Sequence, residues 1–315
     1  MAELYSDVAV VIPVFNEAQT IRGLLESLET QTRFPKEVLI VDGGSQDETV
    51  SVVKGYLQQS VFPYEIRLLR LEGRAFPGRA RNEGVRRTRC SLIACADAGA
   101  RLDPQWLEDL AGPLRTSEAD LVIGTRKSDA RTFFERCAFF VHIGMVRRDD
   151  IPFQGSASIA FRRRFWESVS GYPERLYPCE DKFFLTLALK KKARIHLSKG
   201  GIVYWRPRSH LGSFFLQYLG YGRGDGKARF YPERHFLRLA AYGGTLLLWA
   251  AGKKTLSGVG LIGLAAYWVK MTWRGWREFR DLRVWFLLPI LFLTKDVAQM
   301  IGYTTGALAR KERVG

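Results

Sequence analysis

Four cysteines are all that the 315 residues contain. Cys90, Cys95, Cys137 and Cys179 form no C-x-x-C pair and no zinc-like grouping, so they read as reduced cytosolic thiols rather than metal ligands or disulfide partners. The amino terminus, MAELYSDVAVVIPV, lacks the basic segment and long apolar stretch of a secretory signal, and the first domain is expected in the cytosol. Internal repeats and low-complexity tracts are missing. So is any recognised nucleic-acid reader motif, which sets nucleic acid aside as a partner. Acidic residues are also in short supply: 32 Asp and Glu face 48 Lys and Arg, a formal net charge of +16. That balance calls for another anionic partner, acidic lipid headgroups or a phosphorylated small molecule.

What is present begins with an alternation. Short β-branched runs (8–12, 36–41, 66–71, 92–96 and 119–123) take turns with helical patterns (17–29, 46–58, 78–87 and 106–114), the mark of a mostly parallel sheet wound with helices. In such sheets the ligand sits beyond the carboxyl ends of the strands. The sequence puts three loops there: Pro13-Val14-Phe15-Asn16, Asp42-Gly43-Gly44-Ser45, and Asp97 in SLIACADAGARLDP.

From about Phe236 the composition changes to apolar runs, FLRLAAYGGTLLLWAA, LSGVGLIGLAAYWV and VWFLLPILFL, the last interrupted by Lys295 and Asp296. Each is marginal against the ~20 apolar residues of a spanning helix. Tryptophans at the run ends and the basic RGWREFRDLR between runs suit a membrane interface with acidic headgroups. The division expected is a catalytic domain over 1–210, a basic and aromatic linker over 211–235, and carboxyl-terminal hydrophobic helices over 236–315, spanning or re-entrant.

Several segments carry chemistry. IVDGGSQDET ends a strand on Asp42, whose carboxylate can accept from a base or a ribose. GRAFPGRARNEGV offers Arg74, Arg79 and Arg81 to a diphosphate and Asn82 to a ribose or phosphate. CEDKFFLTLALKK sets Glu180 and Asp181 before an amphipathic helix, one acid to cap it and the other to face the crevice. Further on, Arg206 and Arg208 either grip a donor or lipid diphosphate or form a basic linker on the membrane.

The order VVIPVFNE, VDGGSQDET, GRARNEGV, ADAGARLDP, GSASIAFRR, YPCEDKFF resembles the inverting glycosyltransferases of family 2, over roughly residues 8 to 210. The stretch after it looks more like the succinoglycan-type exopolysaccharide enzymes than the processive synthases. The resemblance implies the type A glycosyltransferase fold, a Rossmann-like α/β sheet, with a UDP- or GDP-linked sugar donor and a divalent metal, Mn or Mg. Pro13 and Glu17 match the motif beside the nucleoside. Asp42 matches the acid that reads the base, with Gly43 where a second acid is often found, and Arg81 and Asn82 match the segment near the donor. Asp97 matches the first acid of an Asp-x-Asp motif whose second position here is Gly99. Three arrangements remain open there: Asp97 alone with diphosphate and water, a further ligand from His210 or Asp103, or arginines in place of the metal's charge. Asp181 matches the general base, with Glu180 supporting it or touching the acceptor. Gly155, Ser156 and Arg162 match the segment lining the donor-sugar and acceptor cleft.

The reading implied is a membrane-associated inverting transferase at the cytoplasmic face, passing a sugar to a hydroxyl of a lipid-linked, polyprenyl diphosphate acceptor. The alternatives are a polyprenyl-phosphate glycosyltransferase and a noncatalytic nucleotide-sugar-binding scaffold.

Overall fold

The computed structural model describes residues 3–143 and 156–309. In chain order the elements are β1 (Glu3–Val14), α1 (Ile21–Glu29), β2 (Arg33–Asp42), α2 (Thr49–Gln59), β3 (Glu65–Arg70), α3 (Pro77–Arg87) and β4 (Leu92–Ala96). Next come β5 (Ala100–Leu102), α4 (Trp106–Arg115), β6 (Leu121–Ile123), β7 (Arg126–Ser128), α5 (Phe133–Ile143), β8 (Ser158–Arg162), α6 (Arg163–Ser168) and α7 (Glu180–Lys190). The chain ends with β9 (Ile195–Leu197), β10 (Val203–Trp205), α8 (Leu211–Ala228), α9 (Pro232–Ala250), α10 (Lys254–Phe279) and α11 (Val284–Leu308). These divide into two compact units, one holding residues 3–129 and 156–206, the other 130–143 and 207–309.

The first unit is built on a seven-stranded sheet of order β3-β2-β1-β4-β8-β6-β9, with β5, β10 and β7 forming a second, three-stranded sheet. The seven-stranded sheet is parallel except for β8, which runs antiparallel to both β4 and β6. Its central strands are apolar on both faces, as a doubly covered parallel sheet requires. Val8, Val10, Ile12 and Val14 of β1 pack with α1, α2 and α4 on one side. Ala9 and Val11 pack with α3, α6 and α7 on the other. Gly84 of α3 lies so close to β1 that an added Cβ would stand 2.4 Å from Val11 Cγ1, so a side chain there would push the helix off the sheet. All four cysteines are buried, and no disulfide joins them.

The strand registers decide where the chemistry sits. β1 and β4 are parallel neighbours, Val11 opposite Cys95, so the loops after them emerge side by side. β2 flanks β1 with Val14 opposite Asp42. The first three expected loops therefore share one edge.

The second unit is helical. Its core joins Cys137 and Val141 of α5 to Phe214 and Tyr218 of α8, Met271 of α10 and Leu288, Leu291 and Phe292 of α11. Helices α8 and α11 approach to backbone contact at glycines four apart. A Cβ at Gly222 or Gly226 would meet the Gln299 or Tyr303 carbonyl oxygen, and one at Gly302 or Gly306 those of Leu219 or Arg223, all within 2.5 Å. Small residues at that spacing are what let two helix backbones close on each other. Residues 211–235, expected as a linker, thus carry a packed helix and the start of α9, because their glycines are contact points rather than flexible joints. The apolar segments from 236 onward form three long helices, on which Phe236, Leu247 and Ile262 are each about seven-tenths exposed and Phe286 nearly eight-tenths. Among the described residues one helix, α11, is long and apolar enough to cross a membrane. The Lys295 and Asp296 that interrupt its apolar run are buried, and Asp296 pairs with the Arg238 guanidinium at 3.0 Å and accepts from the Tyr242 hydroxyl at 2.9 Å.

Candidate active site

Arg81 is the centre of the site. It belongs to α3, which starts at Pro77 after the β3–α3 loop, and its side chain is only 4% exposed. One terminal nitrogen donates to Asp97 Oδ1 at 2.6 Å and the other to Glu180 Oε1 at 3.0 Å, while the guanidinium lies over the Tyr172 ring. Burial opposes its charge, yet Asp97 and then Glu180 overcome that and raise its pKa further. A single fixed cation thus holds together the end of β4 and the start of α7.

Glu180 is buried and Asp181 half-buried in the first turn of α7. Desolvation, with Asp181 next, pushes Glu180 up to about 7 against the pull of Arg81. Neither acid is the N-cap. Cys179 occupies that position at φ 97°, in the left-handed region that costs a non-glycine residue about 1–3 kcal/mol. Asp181 Oδ1 accepts from the Lys182 N–H at 2.7 Å. The start of α7 packs on Gly78, where an added Cβ would lie 3.4 Å from Glu180 Cβ.

Asp42 ends β2 fully buried. Its Oδ1 accepts from the Ser45 N–H at 3.0 Å, Arg70 Nε stands 3.7 Å from Oδ2, and Oδ2 has no hydrogen-bond partner among the described residues. An orphaned buried acceptor costs about 1–3 kcal/mol. Gly43 and Gly44 have a steric reason: a Cβ at either would lie 2.5 Å from a carbonyl oxygen, that of Ala75 or Gly73. The second acid often found at position 43 has no room here. Pro13 lies beside Val41 at the end of β1, and the loop beyond it is tied down by Ser45 Oγ and Thr49 Oγ1, which accept from the Asn16 and Glu17 N–H groups.

Other expected residues are placed differently. Asn82 makes four hydrogen bonds within the protein: Nδ2 donates to Tyr172 O and Glu174 Oε1, and Oδ1 accepts from Tyr172 N–H and Trp166 Nε1–H. It is 1% exposed and has nothing left for a ribose or phosphate. Its work is to fix the turn that sets Tyr172 under Arg81. Arg162 is opposite Leu92, at the far end of β4 from Asp97, because β8 is antiparallel. There it donates to Ala119 O and Ser117 Oγ, away from the cleft. Ser156 does reach the site, buried with its hydroxyl 3.3 Å from that of Tyr172. Gly155 falls outside the described residues. Arg79 is half-buried and Arg206 exposed. In the helical unit Arg208 is exposed, and His210 caps α8 by accepting from the Ser213 N–H through Nδ1. Asp103 accepts from the Gln105 N–H at 3.2 Å and from the Tyr204 hydroxyl at 3.1 Å.

No cluster of three or more His, Cys, Asp and Glu gathers among the described residues. A hard cation such as Mg²⁺ or Mn²⁺ needs less than that when substrate phosphates share its shell. Asp97 fits that requirement: it is 45% exposed and uses only Oδ1 on Arg81. The segment from Ser170 to Leu176 carries no motif of its own in the sequence. Gly171-Tyr172-Pro173, a glycine at φ 76° and a proline around one aromatic, was its signal.

Residues 9–164 match the family model described as glycosyl transferase family 2. Among curated proteins the chain is similar to glycosyltransferase AglE of Haloferax volcanii, 28% identical over 64% of this chain and 60% of that one. It is also similar to succinoglycan biosynthesis protein ExoA of Rhizobium meliloti, 27% identical over 69% of this chain and 68% of that one. Among solved structures it resembles the mannosyltransferase PcManGT from Pyrobaculum calidifontis, in complex with GDP-Man and Mn²⁺. There the TM-score is 0.63 at 19% identity, covering 97% of this chain and 88% of that one. That likeness shows the fold, a type A glycosyltransferase α/β sheet.

Proposed function

Because residues 9–164 form a glycosyl transferase family 2 domain, we propose that this protein moves a sugar, with inversion, from a nucleotide diphosphate donor to a hydroxyl of a lipid-linked saccharide. The observation that carries the reading is Arg81, buried between Asp97 and Glu180 at the carboxyl edge of the sheet. It joins the acid expected on the donor side to the acids expected on the acceptor side. Asp42, with its orphaned Oδ2, would read the base through a ring N–H. Arg74 and Arg79 would meet the diphosphate, while Arg81 is engaged by Asp97 and Glu180.

In a single displacement the acceptor hydroxyl attacks the anomeric carbon as the bond to the diphosphate breaks. Asp181, the more exposed acid of α7, takes the hydroxyl proton. Glu180 holds Arg81 in place. A divalent cation held by Asp97 would supply positive charge to the leaving diphosphate.

Membrane association is supported by the apolar exposure of α9 to α11 and by the length of α11. It would present the donor site to a polyprenyl diphosphate sugar at the cytoplasmic face. The test is transfer by detergent-purified protein from labelled UDP- and GDP-sugars to such an acceptor, paired with alkaline extraction of membranes from expressing cells. Label in the lipid phase and retention in the extracted membrane are expected. Release by carbonate, or label appearing only as free sugar, would contradict the acceptor and membrane parts of the proposal.

A further inference from the structure

We infer that Glu17 supplies the second carboxylate of a divalent-cation site whose first is Asp97, in the space that Gly99 leaves open. The inference rests on the donor site proposed above. Position 99 is where the resembling family places its second acid, and glycine there offers no ligand. A Cβ built on Gly99 would meet Glu17 Oε2 at 3.4 Å and Oε1 at 3.7 Å, so a carboxylate from another loop already stands where that acid would begin.

The topology explains the placement. Glu17 follows β1 and Asp97 follows β4, and these are adjacent parallel strands, so both acids leave the same edge of the sheet one strand apart. The β1–α1 loop holds Glu17 through its backbone: its N–H donates to Thr49 Oγ1 at 2.8 Å, and the Ala18 N–H donates to Asp47 Oδ2 at 3.3 Å. The Thr20 hydroxyl donates to the Glu17 carboxylate and fixes its rotamer. Glu17 is half-buried and Asp97 half-buried. Two carboxylates with substrate phosphate and water make the oxygen-rich shell that Mg²⁺ and Mn²⁺ prefer.

The test is Mn²⁺ binding, read by the electron paramagnetic resonance of free Mn²⁺, with UDP and with GDP. Nucleotide affinity in chelator is measured separately by calorimetry. Glu17→Gln should weaken Mn²⁺ binding about tenfold or more, and by a larger factor than it changes nucleotide affinity in chelator. Glu17→Gln with Gly99→Asp should restore Mn²⁺ affinity, since position 99 has ordinary van der Waals room for a Cβ. Unchanged Mn²⁺ affinity in Glu17→Gln, or no recovery in the double variant, overturns the inference and leaves the donor-site reading standing wherever nucleotide still binds. Wild-type protein that binds a nucleotide equally with Mn²⁺ and with chelator does the same. Wild-type protein that binds neither nucleotide overturns both.

Discussion

Arg81 and Glu180 are 99 positions apart in the chain and 3.0 Å apart in space, both buried. The bond joins α3, which follows the third strand, to the first turn of α7, and Asp97 completes it from the end of β4. Removing one partner of a buried ion pair leaves an uncompensated charge, a loss of about 3–5 kcal/mol when both partners are deeply buried. Because Asp97 is 45% exposed, the lower end applies. Arg81→Ala is therefore expected to lose about 3 kcal/mol in denaturant unfolding. Arg81→Lys should retain part of that but not the two-armed bridge, since an ammonium cannot span both acids as a guanidinium does. Equal stability of wild type and Arg81→Ala would show that the bridge contributes nothing.

The pH dependence of stability follows from Glu180. Its carboxyl is pushed from the ordinary 4.5 up to about 7, chiefly by burial and then by Asp181. Between those values the folded chain keeps a proton that the unfolded chain has lost, so this group makes stability fall as pH rises from about 4.5 to 7 and level off above. Glu180→Gln should remove that slope. Unfolding midpoints of the two proteins across this range check it, and an unchanged slope would refute it.

Asp181 separates the two acceptor chemistries. If a hydroxyl is the acceptor, Asp181→Asn should lower kcat by about 10²- to 10⁴-fold with nucleotide affinity unchanged. A lipid phosphate needs no general base, so near-normal transfer by Asp181→Asn would point to that acceptor instead.

Asn82 supports the site without facing the donor. Asn82→Ala strips four hydrogen bonds from the turn around Tyr172. It should cost about 2–3 kcal/mol of stability, as buried partners lose their bonds. Nucleotide affinity measured well below the melting temperature should change little. A selective loss of nucleotide binding with stability intact would return Asn82 to the donor site.

Much of this was legible beforehand. The alternation of β-branched runs and helices located the first four strands to within a few residues, because a doubly covered parallel sheet writes itself as continuous apolar runs. Asp42 and Asp97 could be placed at one edge for the same reason, whereas Arg81 and the Glu180-Asp181 pair were brought to the site only by the resemblance to the family. What was hidden depended on direction and on distant partners. Arg162 belongs to the antiparallel β8, and five residues of one short strand do not announce their orientation. Asn82 looked polar enough for a ligand, but its four partners lie 84 to 92 positions away. The basic and aromatic composition of 211–235 suggested a linker, and its packed helix is understood only once α11 supplies Gly302 and Gly306 to face Gly222 and Gly226.

The central claim, a nucleotide diphosphate site at the carboxyl edge of the sheet, is tested most directly by calorimetric titration of the purified protein with UDP and GDP beside Asp42→Ala. The account predicts saturable one-to-one binding of one of the two nucleotides by the wild type and its loss in Asp42→Ala. Binding of neither nucleotide, or equal binding by wild type and Asp42→Ala, would contradict it.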